Sequence, residues 1–227
     1  MDYYARKEVS NSDLTWLKNE LNPRECPPDP TAAFRFGNLI DAMITETSVV
    51  NFFERTVMTS RGLEKFSQEE FNLAENMKTA FLRDSFCRDL VSSCEGQTIM
   101  IEHGKQFEYG GLKFELDVRC KWDLWQEAWR WGGDVKSTTA ETQKQFEAAC
   151  FHFDYDRQRY GYMSLGNSDR DVIIGISKKN LKVFKVFIKK DDAFYNSGKE
   201  KYLFLAYKWY ILLGKDKTKF YEQYEKR

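Results

Sequence analysis

Between Lys113 and Asp123 every odd-numbered residue is charged, while Phe114, Leu116, Val118, Cys120, Trp122 and Leu124 are apolar. This is the period of a β-strand with one dry face, and a helix, whose apolar positions recur every three or four residues, cannot satisfy it. A sheet is therefore fixed at the centre of the chain. A second strand is expected around Trp129 to Ser137, close enough to be the hairpin partner. Another pair is expected at Asp171–Ser177 and Val183–Ile188, the first apolar enough to be internal.

The flanking segments read as helices. Serines in Val9–Leu14 can cap a short helix running through Leu17. All four prolines fall between Asn22 and Pro30, an irregular connection. Thr31 to Thr45 then carries Phe36, Leu39, Ile40, Met43 and Ile44 at helical spacing. Residues 49–94 are expected as two or three helical pieces, one opened by the capping box Ser67–Glu70. Gln143 to Leu165 reads as one long helix, and helices close the chain from about Lys199. The fold class expected is α/β: a central mixed sheet flanked by helices, in one domain spanning residues 1–227. Its subdivision would be a mainly helical part (1–100), a catalytic sheet and helix (101–190) and closing helices (191–227).

Composition narrows the function classes. The 35 Lys and Arg balance 35 Asp and Glu, which excludes a histone-like polycation. Residues 178–227 nevertheless hold 14 cations against 6 carboxylates. That excess fits either a solvated lysine-rich surface or a basic half that meets phosphates. No apolar run reaches the ~18 residues of a membrane span, and no secretory leader is visible. Five scattered cysteines, no C-x-x-C and two histidines point away from disulfides and zinc, and toward reduced thiols in a cytoplasmic protein.

The chemistry-bearing residues lie on the expected hairpin. Asp134 and Lys136 are two apart and share a face, with Asp123 on the neighbouring strand. Two carboxylates and an ammonium can converge there, and the Val135 carbonyl could join them. Such oxygen donors suit Mg²⁺ or Mn²⁺, and the ammonium could orient water or stabilise charge on phosphorus. Asp117 lies on the same face but too far along the strand to take part.

These residues stand within blocks that resemble the PD-(D/E)xK nucleases, and within them the RecE-like branch related to lambda exonuclease. Arg119-Cys-Lys-Trp-Asp123 is similar to the strand bearing that family's first acidic ligand, and Asp134-Val-Lys-Ser-Thr-Thr139 to its D-x-K-T-T strand. Gln158-Arg-Tyr-Gly-Tyr162 resembles the Q-x-x-x-Y helix, Phe36-Gly-Asn-Leu-Ile-Asp41 the F-G-x-x-x-H helix, and Val9–Leu14 the L-S-x-S-x-L opening. The departures are Trp122, where proline is usual, and Asp41, where histidine is usual.

The resemblance implies a restriction-endonuclease-like core and a phage-like exonuclease that resects double-stranded DNA ends for recombination. It implies Asp41, Asp123, Asp134 and Val135 as metal ligands, and Glu102 as a second-metal or phosphate-side residue. It implies Lys136 beside the attacking water, and Gln158, Tyr162, Ser10 and Ser12 as DNA contacts. A single-strand annealing protein as partner and a ring-shaped homo-oligomer follow from the same likeness. No iron–sulfur cluster is expected, because no cysteine lies beyond Cys150. A catalytically inactive DNA-binding scaffold and a structure-specific endonuclease are the alternatives.

Overall fold

A computed structural model describes residue 3 and residues 5–23, 31–60 and 62–223. The proline-bearing connection lies outside them from residue 24 to residue 30. Helix α1 (Asn11–Leu21) opens on a reciprocal cap: the Ser10 N–H donates to the Asp13 carboxylate at 2.7 Å, and the Asp13 N–H donates to Ser10 Oγ. Helix α2 (Thr31–Thr45) buries the five apolar residues its spacing selects.

The next stretch corrects the expectation that residues 49–94 are helical pieces throughout. Residues 50–65 form a small antiparallel meander of β1 (Val50–Asn51), β2 (Thr56–Thr59) and β3 (Gly62–Lys65). These strands are too short to display a period. What makes them is local: the Asn51 side chain accepts from the Phe53 and Glu54 N–H groups, and Gly62 takes a φ of 110° at the second turn. Helices α3 (Gln68–Arg83) and α4 (Ser85–Ser93) follow, capped by Ser67 and Asp84.

The main sheet contains β4 (Glu95–Tyr109), β5 (Leu112–Gln126), β6 (Trp131–Thr138), β7 (Arg170–Ser177) and β8 (Val183–Lys189), in that spatial order. Only β6 and β7 run parallel; the other neighbours are antiparallel. Strand β4 carries no legible alternation because it is an edge strand with Phe107 as its sole buried residue. Its hairpin with β5 turns on Gly110 and Gly111, both at positive φ.

The helix expected over Gln143–Leu165 is two: α5 (Gln143–His152) and α6 (Tyr155–Gly166). Asp154 breaks them at a φ of 55°, its carboxylate paired with Lys18 and Lys201. Helices α7 (Ala193–Leu213) and α8 (Thr218–Gln223) close the chain.

Two cores lie on opposite faces of the sheet. One gathers Leu14, Trp122, Met163, Leu205 and Trp209 from α1, β5, α6 and α7. The other gathers Leu39, Met43, Phe81, Val135 and Ile174 from α2, α3, β6 and β7. Strand β7 feeds both, Ile173 to the first and Val172, Ile174 and Ile176 to the second, as an internal strand must. No described helix is long and apolar enough to cross a membrane.

Candidate active site

Strands β5 and β6 pair over three positions only: Leu124 with Gly133, Trp125 with Gly132, and Gln126 with Trp131. Glycine is required there, since a Cβ at Gly132 would stand 2.1 Å from the Leu124 carbonyl oxygen. One step further the strands part. Where the next backbone bond would fall, a side chain replaces it: the Val135 N–H donates to Asp123 Oδ2 at 2.9 Å. The N–H and C=O of one strand residue project to the same side, so the Val135 carbonyl faces this gap too.

The gap collects the charges. Asp134 is 1% exposed. Its Oδ1 accepts from Arg159 Nη1 at 3.0 Å, and its Oδ2 lies 2.5 Å from the Lys136 ammonium in an ion pair. Arg159 also donates through Nε to Asp171 Oδ2 at 2.6 Å, and its guanidinium lies over the rings of Trp122 and Tyr162, at 4.5 and 4.6 Å. Asp41 reaches in from α2, on the other face. Its Oδ2 accepts from the Gln97 amide at 3.0 Å and its Oδ1 from Thr45 Oγ1 at 3.0 Å. Asp41 and Asp123 are partly exposed, so the gap opens to solvent on their side.

The electrostatics are those of crowded carboxylates. Burial, with Asp41 and Asp134 alongside, pushes the Asp123 carboxyl well above its ordinary range. Burial also raises that of Asp41, against its hydrogen bond from Thr45 and the charge of Lys136. Burial disfavours the Lys136 ammonium, but Asp134 and Asp123 outweigh that and raise its pKa, so it stays protonated at neutral pH.

The structure thus brings together Asp41, Asp123, Asp134, Val135 and Lys136. It does not bring Glu102, which sits opposite Val118, five residues along β5, and pairs with Lys105 at 2.6 Å. Ser10 and Ser12 are also distant: the chain joins β5 at Val118 through Val9, Ser10 is occupied in the α1 cap, and Ser12 is exposed. Tyr162 is buried against Trp122 and Arg159, whereas Gln158, on the same helix, is half-buried. Asp117, set aside on the sequence, is tied to the Gly104 N–H and Lys215. Sequence reasoning missed Gln97, Arg159 and Asp171. Arg159 was visible inside the Gln158–Tyr162 block; Gln97 and Asp171 left no signal.

A divalent cation fits the donors by chemistry. They are hard oxygens, Asp134 Oδ2 is buried with the Lys136 ammonium against it, and Asp41, Asp123, Asp134 and Asp171 set four carboxylates against Lys136 and Arg159, with Lys121 also acting on Asp41. Among the described residues no three acidic, histidine or cysteine side chains already stand as a ready-made cage. Taking up a cation therefore requires Asp134 Oδ2 to give up its contact with Lys136.

No protein-family model matches the chain. No curated protein matches it either. Among solved structures, a phage-related exonuclease from Haemophilus somnus 129PT aligns at 18% identity and a TM-score of 0.36, covering 60% of this chain and 67% of that one. The protein SSO0001 aligns at 12% identity and a TM-score of 0.37, covering 64% of this chain. The chain spans 60% of the length of SSO0001. At these scores neither likeness identifies an activity.

Proposed function

We propose that the chain is a Mg²⁺- or Mn²⁺-dependent deoxyribonuclease, a RecE-like exonuclease that hydrolyses phosphodiester bonds at double-stranded DNA ends. The observation that carries this is the crowding of the Asp41, Asp123 and Asp134 carboxylates at one gap, beside the protonated Lys136 amine and open to solvent on one side. Asp41, Asp123 and Asp134 would hold the cation with the Val135 carbonyl, and the cation would supply Lewis acidity toward a phosphoryl oxygen and toward water.

The chain's own groups define the rest. Lys136 is held as a cation, so it serves as a donor to the attacking water or to charge developing on phosphorus, not as a base. Arg159 fixes Asp134, and Trp122 and Tyr162 fix Arg159. Gln158, half-buried on the same helix, remains the candidate strand contact. A cytoplasmic role in recombination, an annealing protein as partner and a ring of subunits belong to the same proposal.

Linear duplex and covalently closed circles, incubated with Mg²⁺ or Mn²⁺, test it. The exonuclease reading expects loss of the linear DNA only, abolished by Lys136→Ala. Cutting of the circles would instead identify an endonuclease, and intact linear DNA would leave a non-catalytic scaffold.

A further inference from the structure

Trp129 is the exposed member of six tryptophans, with 66% of its surface in solvent, although an indole gains more than most side chains from burial. It stands in the turn between β5 and β6, whose backbone is well ordered by hydrogen bonds. The Trp129 backbone N–H donates to Gln126 Oε1 at 3.2 Å, the Arg130 N–H closes onto the Glu127 carbonyl at 3.3 Å, and Trp125 Nε1 donates to the Glu127 carboxylate at 2.6 Å. Arg130 accepts a φ of 46° to make this turn. Beside it runs an open groove of about 480 Å³ along the starts of β6 and β7 and the end of β8.

The groove's charge is one-sided. Arg130, Arg170 and Lys189 line it, and none of them has an ion-pair partner among the described residues. Asp169, the acid on its wall, is matched by Lys190 at 3.5 Å. The Arg170 guanidinium lies over the Trp131 ring at 5.1 Å, which orders it without neutralising it. An exposed aromatic face on an ordered turn among uncompensated cations is the chemistry that recognises single-stranded nucleic acid: a base stacks, and the phosphates on either side meet ammonium and guanidinium groups. An acidic peptide would use the cations and leave the indole idle.

We infer that the Trp129–Arg130–Arg170–Lys189 groove binds single-stranded DNA. It lies beyond the closed end of the β5–β6 hairpin, whose last pair, Gln126 with Trp131, is three residues from Asp123 and Asp134, or about 10 Å along the strands. That spacing rests on the nuclease reading only for its meaning, as a place where a strand separated near the gap is held; binding itself requires no cleavage.

The test is fluorescence anisotropy with a labelled oligothymidylate in EDTA, where nothing is cut, together with quenching of the intrinsic tryptophan emission. Trp129→Ala should weaken binding by about tenfold or more, and Trp129→Phe should retain most of it. Arg130→Ala and Arg170→Ala should each flatten the dependence of log K on log salt by about 0.7. Affinity unchanged in Trp129→Ala, or equal displacement of parent and Trp129→Ala by polyglutamate, overturns the inference. If Trp129-dependent binding is present but DNA survives Mg²⁺, the nuclease reading falls and the groove stands; cutting without Trp129-dependent binding is the reverse.

Discussion

Arg159 and Asp134 meet at 3.0 Å in a place closed to solvent, 0% exposed on one side chain and 1% on the other. The same guanidinium holds Asp171 at 2.6 Å. One buried cation thus ties α6 to β6 and β7 and answers two carboxylates. Removing it leaves Asp171 uncompensated and Asp134 with Lys136 alone, and breaking one partner out of comparable buried pairs costs about 3–5 kcal/mol. Arg159→Met should lower the urea midpoint accordingly, while Arg159→Lys, which keeps the charge but not the fork, should fall between.

Asp123 carries the opposite sign. Its folded-state carboxyl titrates well above the ordinary 3.8, from burial first and from Asp41 and Asp134 next. The folded protein therefore binds this proton more tightly than the unfolded chain, and the resulting stability is complete below the unfolded value and lost as pH rises through the folded one. Asp123→Asn, whose side-chain oxygen can still accept from Val135, should make the metal-free protein more stable at neutral pH. It should also flatten the decline from acid to neutral pH. Thermal melts across that range in EDTA check both.

Gln97 links α2 to β4 by donating to Asp41 at 3.0 Å and Thr45 at 2.8 Å, from a backbone φ of 56°. A residue that orients a metal-binding carboxylate commonly accounts for about 10–100-fold in affinity or rate. Gln97→Ala should lower Mn²⁺ affinity and DNA hydrolysis within that range, and Gln97→Glu should restore neither, since it adds a further carboxylate beside Asp41.

Two glycines predict opposite outcomes. A Cβ at Gly198 would stand 2.1 Å from the Asp156 carbonyl oxygen, where α7 crosses the start of α6, so Gly198→Ala should destabilise by about 1–3 kcal/mol. At Gly37, inside α2, the added methyl meets nothing within 4 Å. Gly37→Ala should stabilise by about 0.5–1 kcal/mol. Equilibrium unfolding of the two variants beside the parent measures the difference.

The alternation of residues 113–124 made β5 legible, and the helical spacing of Phe36 to Ile44 made α2 legible, because each buries one regular face. Strand β4 was invisible because an edge strand buries almost nothing, and β1–β3 because two to four residues cannot show a period. The break at Asp154 depends on lysines brought from α1 and α7, which no local window contains. The same division holds at the gap. Asp123, Asp134 and Lys136 were legible as neighbours on a hairpin, and Asp41 through its motif. Gln97 and Asp171 join them through long-range register alone, and Glu102 is carried elsewhere because β4 runs its length beside β5.

The central claim is that Asp41, Asp123 and Asp134 share one divalent cation. Crystals soaked in Mn²⁺ and measured at an anomalous wavelength test it most directly. The account predicts a single strong peak between β5 and β6, with oxygens of these three residues and the Val135 carbonyl at about 2.0–2.6 Å and the Lys136 amine displaced from Asp134. A gap still bridged by Lys136, with no Mn²⁺ peak among the three aspartates at saturating ion, would contradict it.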